Sequence, residues 1–137
     1  MRALCKVQAS EDGIALREVD VRDPGLGEIR LKVAAAGICG TDMQIFRWAP
    51  RMARRMKLPR VLGHEVSGIV DALGPGVSNV ARGDQVSLES HIFCGQCRQC
   101  HLGRAHLCER TQYPGIDIDG GFAEYVLVPA HIARRRC

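Results

Sequence analysis

At 137 residues the chain has the length of one ordinary domain, and 46 % apolar residues are enough for a real core. Aromatics make up only 4 %, so that core must be built from Val, Leu, Ile and Ala, and 15 glycines favour a turn-rich β fold over a helical bundle. The net charge of +4 is small and local: Arg47, Arg51, Arg54, Arg55, Lys57 and Arg60 cluster together, and Arg134, Arg135 and Arg136 close the chain. Without interleaved aromatics these read as a solvated loop and a frayed tail, and no nucleic-acid partner is expected. The first residues lack an apolar signal core and no run is long enough to cross a bilayer, so a cytoplasmic, reducing setting without a membrane partner is the expectation. There, seven cysteines point to metal ligands or spare thiols more than to disulfides.

Residues 3–8 read as a strand, Asp12-Gly13 as a turn and residues 14–19 as the returning strand. Cys5 is expected to pack within the first of them. Residues 28–36 alternate, with Ile29, Leu31 and Val33 against Arg30 and Lys32, the pattern of a half-buried strand. Gly37-Ile38-Cys39-Gly40-Thr41-Asp42 breaks it, and Thr41 or Asp42 could cap a short helix through Trp48. Residues 49–60 lack a clear period and are expected to form a surface loop or short helix. Residues 61–73 form one extended run interrupted by Gly63 and Gly68, places for bulges or close backbone approach. Turns at Gly74-Pro75-Gly76 and Arg82-Gly83-Asp84 precede a strand at 85–89. After an irregular segment at 93–109 and a turn at 117–121, a last strand at 122–128 stops at Pro129. Short strands punctuated by turns predict a mainly β protein, a small barrel or sandwich.

Two sets of residues carry metal chemistry. Cys94, Cys97, Cys100 and Cys108 place four thiols on one segment, and two-residue spacers let the backbone loop round a single ion. Four sulfur donors leave no open position, so the ion would be structural and its binding would contribute to folding. An iron–sulfur cluster can use similar spacing, but its fourth cysteine is commonly followed by proline, and here Glu109 follows Cys108. Zinc is the favoured ion. His101 and His106 fall inside the segment and are expected to be exposed bystanders. Cys39, His64 and Glu65 come from separate stretches. A lone Cys or His is usually a packed core residue, but mixed Cys/His/carboxylate ligation with one open position is the pattern of catalytic zinc.

Gly63-His64-Glu65, Gly68, Gly74 and Val77 together resemble the signature of the zinc-containing alcohol dehydrogenases, in the medium-chain dehydrogenase superfamily. The stretches 37–42, 94–108 and 121–125 resemble the same family's first ligand motif, structural-zinc lobe and following strand. The resemblance covers nearly the whole chain. It implies a GroES-like β-barrel catalytic domain over residues 1–137, with a zinc lobe at 93–109 and short helices. It also implies a catalytic zinc held by Cys39, His64 and Glu65, Thr41 in a proton relay, and His91 lining the substrate site. GICGTDMQIFRW, SLESHIFCGQCRQC and GGFAEYVLVPA are similar to the threonine-oxidising branch. That likeness implies NAD-linked oxidation of a small alcohol, L-threonine at its 3-hydroxyl, by an enzyme that is a homo-oligomer at full length.

Two departures stand out. The family's relay histidine, five residues after the cysteine, is Gln44 here, and glutamine cannot take up a proton near neutral pH. The Rossmann domain that binds NAD is absent from these residues: Gly74-Pro75-Gly76 lacks the third glycine and the following helix. The expectation is therefore an incomplete catalytic domain without turnover by itself. The alternative is a zinc-binding module with no catalytic role. A zinc-ribbon nucleic-acid binder would leave Cys39 and Gly63-His64-Glu65 unexplained.

Overall fold

The computed structural model describes residues 1–135, so the expectation that Cys137 is an exposed, oxidisable thiol lies outside the described residues. Among the described residues eight strands form two sheets. The smaller runs β2 (Ile14–Glu18), β1 (Arg2–Lys6), β4 (Arg60–Val61). The larger runs β7 (Tyr125–Pro129), β3 (Glu28–Gly37), β5 (Glu65–Leu73), β6 (Gln85–Leu88), β8 (Ala133–Arg135). Every named pairing is antiparallel. The barrel expected from the sequence is thus two sheets, joined where Ala3 bridges Ala123 and where the Leu4 amide donates to the Phe122 carbonyl.

The alternation in β3 does what it predicts. Ile29 and Leu31 are fully buried and pack with Val66, Val70, Val86, Val126, Val128 and Ile132 in the main core. Burying each such side chain is worth roughly 1.5–3 kcal/mol before chain entropy is set against it. The hairpin of β1 and β2 turns at Asp12, which takes φ 59°, and Cys5 is buried in β1 as expected. Lys6 is also fully buried. Its ammonium donates to the carbonyls of Ser10 and Phe46 at 2.6 and 3.1 Å and lies 5.3 Å over the Trp48 ring, and burial pushes its pKa down.

Three sequence expectations are corrected. The run 61–73 is not one strand: it divides into β4 and β5, which belong to different sheets. The chain crosses between them at Leu62-Gly63-His64. Gly63 takes φ +93° there, and a side chain at that position would strike Phe122. Gly68 passes so close to the Lys32 carbonyl that any Cβ would clash, beside the register shift between Val33 and Ala35. The basic segment takes the short-helix alternative and is not a solvated loop: α2 (Pro50–Arg55) buries Met52, and Met56 follows it into a second core with Ile45, Leu62 and Ile116. Within the basic segment Arg55 and Arg60 are held by Asp117 and Asp119. Finally, Arg134 and Arg135 are not a frayed tail, because β8 pairs with β6 from Val86 to Leu88.

The segment at 93–109 also contains more regular structure than expected: a one-turn helix, α3 (Arg98–His101), and a 3-10 turn at Ala105–Leu107. None of its residues joins a hydrophobic core cluster. Among the described residues no helix is long and apolar enough to cross a membrane.

Candidate active site and metal centres

The site begins where β3 ends. Its last residue, Gly37, pairs with Glu65, the first residue of β5. Ile38 projects into solvent, and α1 (Gly40–Phe46) then starts. The N-cap is Cys39, not the Thr41 or Asp42 expected from the sequence. The Cys39 sulfur accepts from the Thr41 amide at 3.3 Å, and the Asp42 carboxylate reaches back to the Cys39 amide at 2.8 Å. This is a capping box with sulfur in place of the usual hydroxyl. It fixes the Cys39 side chain at the mouth of the helix.

The crossing from β4 to β5 brings His64 to the same point. Its Nε2 is 3.1 Å from the Cys39 Sγ, and its ring is almost fully buried. On the far side of the ring, Nδ1 lies 3.8 Å from Asp42 Oδ1. Neither of those two buried atoms has a hydrogen-bond partner. Cys39, His64 and Glu65 each offer one donor atom, and the three lie within 4.8 Å of one another. One histidine nitrogen turned to the donor set and the other to a carboxylate is the usual outer-shell arrangement of metal sites.

These donors lie in a cleft of about 350 Å³. Thr41 and Gln44 of α1 line it, as do Arg51, Met52 and Arg55 of α2. Its remaining wall holds His91, Tyr113 and Ile116, so the structure brings both Thr41 and His91 to the cleft of Cys39, His64 and Glu65. His91 is steered from two sides. Its Nδ1 lies 2.7 Å from Glu89 Oε1, a contact that draws the Glu89 carboxyl below its ordinary pKa, and its ring meets Tyr113 edge-on at 4.9 Å. Tyr113 in turn carries the Arg55 guanidinium 4.8 Å over its ring. Arg55 is gripped by both oxygens of Asp117 at 2.8 and 2.7 Å, which pushes its pKa up, and the Tyr113 amide donates to Asp117 as well. Sequence reasoning missed Asp42, Glu89, Arg55, Tyr113 and Asp117. Only Asp42, three residues after Cys39, left a readable sign, the spacing of a capping box.

The second cluster is self-contained. Cys94, Cys97, Cys100 and Cys108 offer four sulfurs within 4.8 Å of one another. Cys97 and Cys100 approach to 3.5 Å, and the amides of Gln96, Cys94 and Arg110 point at sulfurs from 3.3 to 3.4 Å. The Gln96 amide lowers the Cys94 thiol to about 6, whereas burial, followed by the neighbouring sulfurs, pushes Cys100 up to about 12. Four thiolates at this spacing repel one another unless a cation sits among them. His101 and His106 are exposed, as expected.

The profile of the alcohol dehydrogenase GroES-like domain matches residues 25–135. L-threonine 3-dehydrogenase of Pyrococcus horikoshii is 50 % identical over 118 residues, 86 % of this chain and 34 % of that protein. The chain therefore spans about a third of the length of the curated relatives it matches. A cobalt- and zinc-bound thermostable alcohol dehydrogenase from Pyrobaculum aerophilum superposes with a TM-score of 0.89 at 36 % identity, over 98 % of this chain and 41 % of that one. An E. coli CFT073 alcohol dehydrogenase complexed with NADH superposes with a TM-score of 0.87 at 36 % identity, over 98 % of this chain and 38 % of that one. By fold, sequence match and the arrangement of its two donor clusters, the chain belongs to the alcohol dehydrogenase GroES-like domain family.

Proposed function

We propose that this chain is the catalytic-domain portion of a zinc-dependent, NAD-linked dehydrogenase that oxidises a small secondary alcohol, L-threonine at its 3-hydroxyl. The observation that carries the proposal is the convergence of Cys39, His64 and Glu65 in a cleft whose walls include Thr41 and His91. The threonine-oxidising relatives support the choice of substrate.

The residues present fit zinc at both places. One sulfur, one imidazole and one carboxylate suit a catalytic ion with room for substrate, and four sulfurs suit a closed structural ion. The orphaned pair of His64 Nδ1 and Asp42 Oδ1 adds to the fit, since engaging Nε2 fixes the ring proton on Nδ1, facing Asp42. In this reading Cys39, His64 and Glu65 hold the catalytic zinc, and Cys94, Cys97, Cys100 and Cys108 hold the structural one.

The bound groups supply what side chains cannot: zinc a Lewis acid for the substrate hydroxyl, NAD an acceptor for the hydride. The chain's own residues hold and steer. Thr41, in the first turn of α1, would take the hydroxyl proton onto its own oxygen while passing its own proton to solvent water at the open cleft. Gln44, one turn further along α1, can hydrogen-bond to that relay but cannot store the proton. His91, fixed by Glu89 and Tyr113, forms the wall that orients the substrate. The Arg55–Asp117 pair keeps that wall rigid.

Metal analysis and turnover test the reading together. The chain should bind two zinc ions, and Cys39→Ser or His64→Ala should lose one while keeping the other. In a protein that joins these residues to a dinucleotide-binding domain, the same variants should lose threonine-dependent NAD reduction by at least about a hundredfold. One zinc per chain, or turnover untouched by both variants, would refute it.

A further inference from the structure

We infer that Arg51 selects substrates bearing a carboxylate, an inference that rests on the reading of the cleft as an alcohol site. Arg51 and Arg55 stand four residues apart on α2 and both line the cleft. Their circumstances differ. Arg55 is committed to Asp117 through Nε and Nη2, and Nη2 also donates to the Thr111 carbonyl at 3.1 Å. Arg51 is exposed and makes no ion pair or side-chain hydrogen bond among the described residues. The acidic residue that shares the cleft, Glu65, belongs to the donor set with Cys39 and His64 and makes no ion pair with Arg51.

The cleft therefore combines the donor set with an uncommitted guanidinium. A guanidinium presents a planar fork of N–H donors that matches the two oxygens of a carboxylate. A 350 Å³ cleft suits a molecule of few heavy atoms, short enough to reach both with one carbon skeleton. A 3-hydroxy acid with its hydroxyl toward Cys39 and its carboxylate toward Arg51 meets these conditions. A neutral polyol of the same size leaves Arg51 without a partner.

Titration of the zinc-loaded protein that joins these residues to a dinucleotide-binding domain, with L-threonine and with L-threonine amide, followed by NMR shifts of Thr41 and His91, tests the inference. At a pH about two units below the α-amino value of about 7.7–8.0, where both amines are protonated, the two ligands differ in the carboxylate alone. L-threonine should bind about tenfold more tightly than the amide, the scale of a charge-assisted contact. Arg51→Gln should erase that preference by weakening threonine only, and Arg51→Lys should keep part of it. Arg54→Gln, an exposed change outside the cleft, should leave it intact. Equal binding of the two ligands by the unaltered chain, or equal weakening of both by Arg51→Gln, overturns the role of Arg51 and leaves the alcohol site standing. Absence of any shift at Thr41 and His91 with either ligand, while two zinc ions are bound, overturns the alcohol site and this inference with it.

Discussion

Glu28 opens β3 and is tied on three sides: two contacts from Arg22 at 2.6 and 2.8 Å and the Gly25 amide at 2.9 Å. The Arg22 hydrogen bond, more than the amide, holds its carboxyl below the ordinary 4.5. A carboxyl depressed in the folded state contributes stability above its unfolded pKa and loses it as pH falls through the folded value. Glu28→Gln should therefore cost roughly 1 kcal/mol at neutral pH, a modest figure because Arg22 is largely exposed. The gap should close as pH drops below 4.5, which denaturant melts at several pH values would show. At this scale the sequence is a partial guide. It points to Cys39, His64 and Glu65 through the glycine-framed motifs around them, since a lone Cys or His is more often a core residue. It does not name Arg55, Asp117 or Tyr113, because a contact across 62 positions leaves no local trace.

The local trace is strongest where an element satisfies its own backbone. The strand alternation of residues 28–36 was legible because one face of β3 is buried. The division of 61–73 into two strands was not, because the apolar run continues through Leu62 while the backbone turns at Gly63. The start of α1 was misread for a similar reason: cysteine is not among the usual caps, so Thr41 and Asp42 looked better placed. That cap is testable without any metal. In metal-free protein, Cys39→Ser should leave α1 nearly as stable, since a hydroxyl accepts the same bond. Cys39→Ala should cost about 0.5–2 kcal/mol, read as a lower melting temperature and faster amide exchange at Thr41 and Asp42. Equal melting of the two variants would show that the sulfur contributes nothing to the helix.

For the molecule as a whole, the cysteine lobe is the part least supported by packing. Its connection to the sheets runs through the Ile92–Gln112 bridge and the edge contact of Phe93 with His131 at 4.6 Å. The three hydrophobic clusters lie entirely outside residues 93–109. A chelator should therefore open the lobe before the sheets. Trypsin should first cut at Arg98, Arg104 or Arg110, with the sheet circular-dichroism signal intact, and added zinc should protect those bonds. Simultaneous loss of sheet signal and lobe would mean that the ion supports the entire fold. The β8 pairing was also invisible in the sequence, since three residues ending in two arginines look like solvent-facing tail until β6 is seen alongside. Cys39 has a wider consequence, because the atom that seals a helix is also one that can grip an ion. A serine at this position would keep the cap but replace a thiolate with a far poorer zinc donor, so the side chain that serves both tasks has few substitutes. Finer adjustment is left to Glu65 at the rim, because Asp42, behind the ring of His64, closes the same cap with its other oxygen.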